Sequence, residues 1–257
     1  GDAAKFQVLM DDFESAFDWL RESDVWVSPP VQGVLGYCDG HQVDMAGFFT
    51  TMLRIVEGAG GAVVRRTSTE DLIRVGNTVV GARCRDGASG QPITIRCQAT
   101  VLATGGFQAS EAARRRFLPK ANRLVLRSNR HSVGSGMELG RGAGGCLTEP
   151  MTGFYGHLLP FPQDRFAPSD FGALAYYESE FGILLDRNGL RFCDESLGDQ
   201  INAQEVCQVG SAVLIVDERA RRTGFSALLP EGDGSAKWGQ AAKLGANYCA
   251  APTFAEL

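Results

Sequence analysis

The segment Thr100–Phe107, TVLATGGF, constrains the fold of this chain more than any other: an apolar run with strand character ends in two adjacent glycines. A run so apolar predicts a buried strand. Beyond it the backbone amides of Thr104, Gly105 and Gly106 are open to a ligand, with no side chain at either glycine to block the approach. Tight turns use the same residues, so alone the motif leaves a turn and a ligand cradle both open. The residues before it, AVVRR (Ala62–Arg66), DLIRV (Asp71–Val75), TVVGARCR (Thr78–Arg85) and PITIRC (Pro92–Cys97), are short β-rich runs. Gly76-Asn77 and the loop Asp86–Gly90 separate them, the pattern of a β-meander.

Outside this β-rich stretch the periodicity is helical. Phe13, Phe17 and Leu20 mark an amphipathic helix over about Asp11–Arg21. Asp44 caps a second helix, running to Glu57, whose Met45, Phe48, Phe49, Met52, Leu53 and Val56 are expected to pack into a core. Further helices are expected over Ser110–Phe117 and about Gly136–Ala143. Helices alternating with short strands define an α/β fold class. Glycine supports a nucleotide-binding version of it, with 32 residues in 257 against a usual share of roughly 7%. Composition shifts near Pro150 into GFYGHLLPFPQDRF, rich in aromatics and proline, where a second domain or lid is expected to begin.

Charge and cysteine usage exclude several partners. A formal net charge of -5 provides no general attraction to nucleic acid or to an anionic membrane. No apolar run approaches the roughly 18 residues of a membrane span. One basic stretch, Arg114, Arg115, Arg116, Lys120, Arg123, Arg127, Arg130 and Arg141, is open between a solvated face and a local anion site. Seven scattered cysteines without a C-x-x-C pair, and three dispersed histidines, argue against a metal centre and for reduced thiols in the cytoplasm.

About thirty residues after the double glycine, GSGMELGRGAGG (Gly134–Gly145) places glycines before and along a predicted helix, whose N-terminus offers free N–H groups and positive partial charge. GILLDRNGLRFCDES (Gly182–Ser196) follows. In this order and spacing the meander, ATGGF, the GSG helix and the R-F-x-x-E segment resemble the fumarate reductase/succinate dehydrogenase-type flavoproteins. Among them the D-E after R-F looks closest to the tricarballylate dehydrogenase-like branch. The resemblance implies an incomplete FAD-binding domain over 1–150, an incomplete α+β capping domain over 151–257, FAD as cofactor, a small carboxylate substrate and an unidentified electron acceptor. It implies hydride transfer between flavin and a C–C bond; some relatives act instead on an enone or ketosteroid.

Members of that family begin with a strand and a G-x-G-x-x-G turn that seats the pyrophosphate, which this chain does not display, and APTFAEL at its end looks like a stretch inside the cap. The expectation is therefore an excised central fragment, inactive as it stands and not retaining FAD alone. The cofactor-binding positions are Thr69, Ala103, Thr104, Gly105, Gly106, Ser135 and Gly136, with Ser135 in place of the family's G-D-G aspartate. His157 falls where the family places a carboxylate-binding histidine, a role open between ligand and structure. Asp199 occupies the place of the family's proton-delivering arginine. With a reference pKa of about 3.9, an aspartate there is usually ionised, which casts doubt on that route. Arg191 is expected to be held by nearby carboxylates, Asp194 or Glu195, around an Asn188-Gly189 hairpin turn. Tyr155, Tyr176 and Tyr177 either line a pocket or pack.

Overall fold

The computed structural model describes residues 3–34, 38–118, 120, 124–148, 151, 153–223 and 235–257. Arg123 of the basic stretch and the boundary at Pro150 lie outside them. The chain forms two compact units, Gly1–Arg66 and Thr67–Leu257.

In the first unit, α1 (Ala3–Asp11) precedes the helix expected over about Asp11–Arg21, which forms as α2 (Phe13–Glu22), and β1 (Val31–Val34) pairs antiparallel with β2 (Cys38–Gly40). Helix α3 (Met45–Gly58) starts where its cap predicts: the Asp44 carboxylate accepts from the Ala46 and Gly47 N–H groups at 3.1 and 3.0 Å. The core expected beneath α3 is not formed. Phe48, Met52 and Leu53 are half-buried, while Met45 and Phe49 are exposed.

The second unit opens with the meander β3 (Thr67–Val75), β4 (Thr78–Asp86) and β5 (Pro92–Arg96), an antiparallel sheet in that order. Ala62–Arg66 does not join it: Arg66 has a φ of +53°, which breaks the extended backbone just before β3. A second correction concerns Thr100–Phe107, which is neither a strand nor buried; Val101 is 88% exposed. A strand needs ladder partners, and among the described residues none pairs with this run. Helices α4 (Glu111–Phe117), capped by Ser110, and α5 (Ser135–Gly142) then follow as expected.

The rest of this unit packs around Phe166, Phe171, Leu174 and Ala241, which join α6 (Phe171–Leu174) to α9 (Ser235–Lys243). Strand β6 (Ile183–Leu185) pairs antiparallel with β7 (Val213–Ile215), and α7 (Asp199–Val209) and α8 (Glu218–Thr223) lie on either side of β7 in sequence. The Asn188-Gly189 turn forms, with Asp186 accepting from the Asn188 and Leu190 N–H groups at 2.8 and 2.9 Å. Its second arm, however, shrinks to a single bridge, Leu185 to Arg191, while β6 pairs with β7 instead.

What fixes this corner is Glu195. Its side chain is only 2% exposed and accepts from Arg191 Nε at 2.9 Å, Arg191 Nη2 at 2.5 Å and the Leu184 N–H at 2.8 Å. Its backbone carbonyl accepts from Asn202 Nδ2 at 3.1 Å, and the same amide reaches Ser179 Oγ at 3.0 Å. Burial works to raise the Glu195 carboxyl, but the guanidinium and the N–H groups outweigh it and hold it below the usual carboxylate range. The local partner expected for Arg191 is therefore present. Because the guanidinium is 59% exposed, its loss is discounted for solvent. Arg191→Ala is expected to lower Tm by roughly a few degrees. Thermal melting of the variant checks this; an unchanged Tm removes Arg191 from the framework.

Candidate functional site

Two constellations in the second unit carry chemistry. The first joins residues distant in sequence. His157 lies in the extended stretch before α6, Asp199 is the first residue of α7, and His157 Nδ1 hydrogen-bonds Asp199 Oδ2. Both side chains are buried, at 8% and 7% exposure. The Tyr177 and Tyr155 rings both meet the imidazole edge-on, at 4.5 and 5.1 Å between centroids. Glu180 completes the acidic side: burial raises its carboxyl above the usual range, and the charge of Asp199 raises it further. With Nδ1 committed to Asp199, Nε2 has no hydrogen-bond partner among the described residues and is the ring atom left to exchange a proton.

The second constellation is the double glycine. Ala103, Thr104, Gly105 and Gly106 are exposed, and their N–H groups donate no hydrogen bond among the described residues. Gly105 has a φ of +72°, and a Cβ there would sit 2.9 Å from Ser132 Oγ, so both backbone and space select glycine. Helix α5 packs end-on against this run. A Cβ on Gly136 would collide with Thr104 Oγ1, and Gly134 N–H donates to the Gly106 carbonyl at 3.0 Å. Ser135 is the first residue of that helix. Open amide donors beside a close-packed helix N-terminus suit a phosphate or a polar edge of a flavin. Thr69 stands apart in β3, opposite Cys84, with its Oγ1 3.6 Å from the thiol; no hydrogen bond among the described residues joins it to Ala103–Gly106.

The stretch 124–134 connects the two constellations. Gln108 Nε2 donates to Ser128 Oγ at 3.1 Å, and the Ala109 N–H donates to the Ser132 carbonyl at 2.9 Å. In the other direction Arg127 Nη1 donates to Tyr177 Oη at 2.8 Å. The basic run signalled Arg127 without setting it apart from its neighbours, and Glu180 carried no sequence signal at all. Among the described residues no group of three or more His, Cys, Asp or Glu side chains could hold a metal ion.

A family described as FAD binding domain matches residues 32–228, and the chain belongs to that family of flavin-dependent proteins. A curated relative, the fumarate reductase (cytochrome) of Shewanella frigidimarina, is 28% identical over 134 residues, covering 50% of this chain and 22% of the relative. A flavocytochrome c3 fumarate reductase in its open conformation superposes with a TM-score of 0.59 at 18% identity, over 83% of this chain and 38% of that structure. The 3-ketosteroid delta1-dehydrogenase of Sterolibacterium denitrificans, solved with 1,4-androstadiene-3,17-dione, gives 0.52 at 19% identity, over 71% and 34%. These two structural likenesses establish the α/β fold and nothing finer.

Glu180 yields a pH prediction. Its folded pKa is raised above the unfolded value of about 4.3, so the folded state holds this proton more tightly. The resulting destabilisation is absent below the unfolded pKa and grows as pH rises through the folded one. Glu180→Gln is therefore expected to raise Tm at pH 7.5 and to lose that advantage near pH 4. A gain that is constant across the pH range, or none at pH 7.5, contradicts the assignment.

Proposed function

We propose that this protein takes part in FAD-dependent hydride transfer across a C–C bond of a small (poly)carboxylate. The observation that carries the reading is the buried His157–Asp199 pair, linked through 124–134 to open amides of the kind that hold a flavin. FAD, when bound, supplies the hydride chemistry. Thr104, Gly105, Gly106, Ser135 and Gly136 would hold it, with Ala103 and Thr69 contributing backbone and sheet around them. Asp199, standing where the resembling fumarate reductases use an arginine, orients His157; His157 Nε2 then gives or takes the second proton at the substrate carbon. The division into a flavin-binding part over 1–150 and a cap over 151–257 has the cap exclude water and orient the carboxylates.

The chain spans only 22% of the curated relative and 38% of the flavocytochrome structure. The cradle described here is accordingly one part of the FAD site, and protein of these 257 residues purified without added FAD is expected to carry less than stoichiometric flavin by absorbance. The tricarballylate dehydrogenase-like branch remains our reading of Asp194-Glu195 after Arg191-Phe192. Scattered free thiols support a reducing, cytoplasmic setting. No helix among the described residues is long and apolar enough to cross a membrane.

A second reading, an enone or ketosteroid substrate, is favoured by the two tyrosines flanking His157 and by the likeness to the ketosteroid enzyme. The test is turnover by the FAD-loaded, full-length protein, with reduced viologen and fumarate in one arm, an artificial acceptor and succinate or tricarballylate in another, and a 3-ketosteroid in a third. Turnover of a carboxylate is expected, with His157→Ala lowering kcat/KM by roughly a hundredfold or more. Turnover of the steroid alone selects the second reading, and a rate unmoved by His157→Ala removes the pair from the reaction.

A further inference from the structure

We propose that Arg127 recognises a carboxylate of the substrate at the His157–Asp199 pair, a role that rests on the small-carboxylate reading above and adds the residue that sets the charge of the ligand. Two acidic side chains, Asp199 and Glu180, lie on the protein side of this site. Alone they repel an anion, so a site for one needs a cation within reach of His157. Arg127 meets that need through contacts already described: Nη1 on Tyr177 Oη at 2.8 Å, and the Tyr177 ring against the imidazole.

Arg127 is set apart by where its neutral partner lies: Arg74, Arg114 and Arg130 also have no carboxylate partner among the described residues, but they reach Asn77, the Gln108 carbonyl and His131, whereas Arg127 reaches the tyrosine against His157. Arg83, Arg85, Arg115, Arg141, Arg191, Arg221 and Arg222 each hold an acidic partner. Among the described residues Arg127 has no carboxylate within 4.0 Å, and its contact is a neutral hydroxyl on a tyrosine that is 8% exposed. A hydroxyl can fix the direction of a guanidinium without neutralising it. The rest of the planar fork is then available to a carboxylate in bidentate geometry. Position adds to this, because Ser128, the next residue, is tied to Gln108 just beyond the double glycine. Arg127 is thereby anchored between the open amides and the proton-transferring pair, where a bound acid has to be oriented to present its carbon to both.

The experiment is calorimetric titration of succinate into the FAD-loaded, full-length protein, with dimethyl succinate as the neutral control, for wild type, Arg127→Ala, Arg127→Lys, Tyr177→Phe and His157→Ala. Arg127→Ala is expected to weaken succinate roughly ten- to hundredfold with flavin content and Tm unchanged. Arg127→Lys should recover part of the loss, as a point charge without the fork, and Tyr177→Phe should fall between wild type and Arg127→Ala. The diester should bind equally poorly throughout. Succinate binding by Arg127→Ala within twofold of wild type, while His157→Ala loses it, overturns the role of Arg127 and leaves the carboxylate reading standing. Loss of flavin together with succinate in Arg127→Ala also overturns it, placing the arginine at the cofactor. If wild type does not bind succinate, nor tricarballylate titrated in the same way, the carboxylate reading itself falls and takes this assignment with it.

Discussion

The buried carboxylate of Glu195 is the constraint on which the chemistry of the second unit depends. A charge removed from water must be met by donors, and the three that meet it come from different places: the Leu184 N–H in β6 and two nitrogens of Arg191 beyond the turn. Its carbonyl takes a fourth, from Asn202 in α7. Satisfying one residue therefore sets the strand, the turn and the first helical turn of α7 in fixed relation. Asp199 opens that helix, so the network that buries Glu195 also positions the carboxylate that holds His157. The structural and the chemical roles of the segment Gly182–Asp199 are one arrangement.

Local signals were legible in the sequence. Asp44 and Ser110 cap the helices they precede, Gly76-Asn77 turns between β3 and β4, and Arg191 finds Glu195, because each depends on neighbours within a few residues. What sequence could not supply were pairings that need a distant partner. TVLATGGF has every property of a buried strand, yet strand formation is decided by what lies alongside. The contact between His157 and Asp199 spans 42 positions, and periodicity carries no information about such a pair; both residues were singled out by family resemblance, while their meeting was not. Arg127 was visible only as one cation among several, since what marks it is a tyrosine hydroxyl fifty residues away.

The site differs from a simple charge-complementary pocket. It places acids, an imidazole, two phenol rings and one cation around a small region. Such a mixture is suited to moving a proton while holding an anion, since the groups that orient His157 are distinct from the one positioned to attract the ligand. A buried lysine, Lys237, is committed elsewhere: its ammonium meets Glu178 at 2.6 Å and the Ala175 carbonyl at 3.1 Å. That pair ties α9 to the turn preceding β6.

The contact between Gly136 and Thr104 also limits how this sequence can drift. Any side chain at 136 enters the space of the threonine hydroxyl, so the two positions are not independent sites for mutation. An alanine at 136 becomes tolerable only after 104 has shrunk, and a threonine regained at 104 is then closed off. Lineages descending from this sequence are expected to keep the glycine or to change the two residues together, in that order.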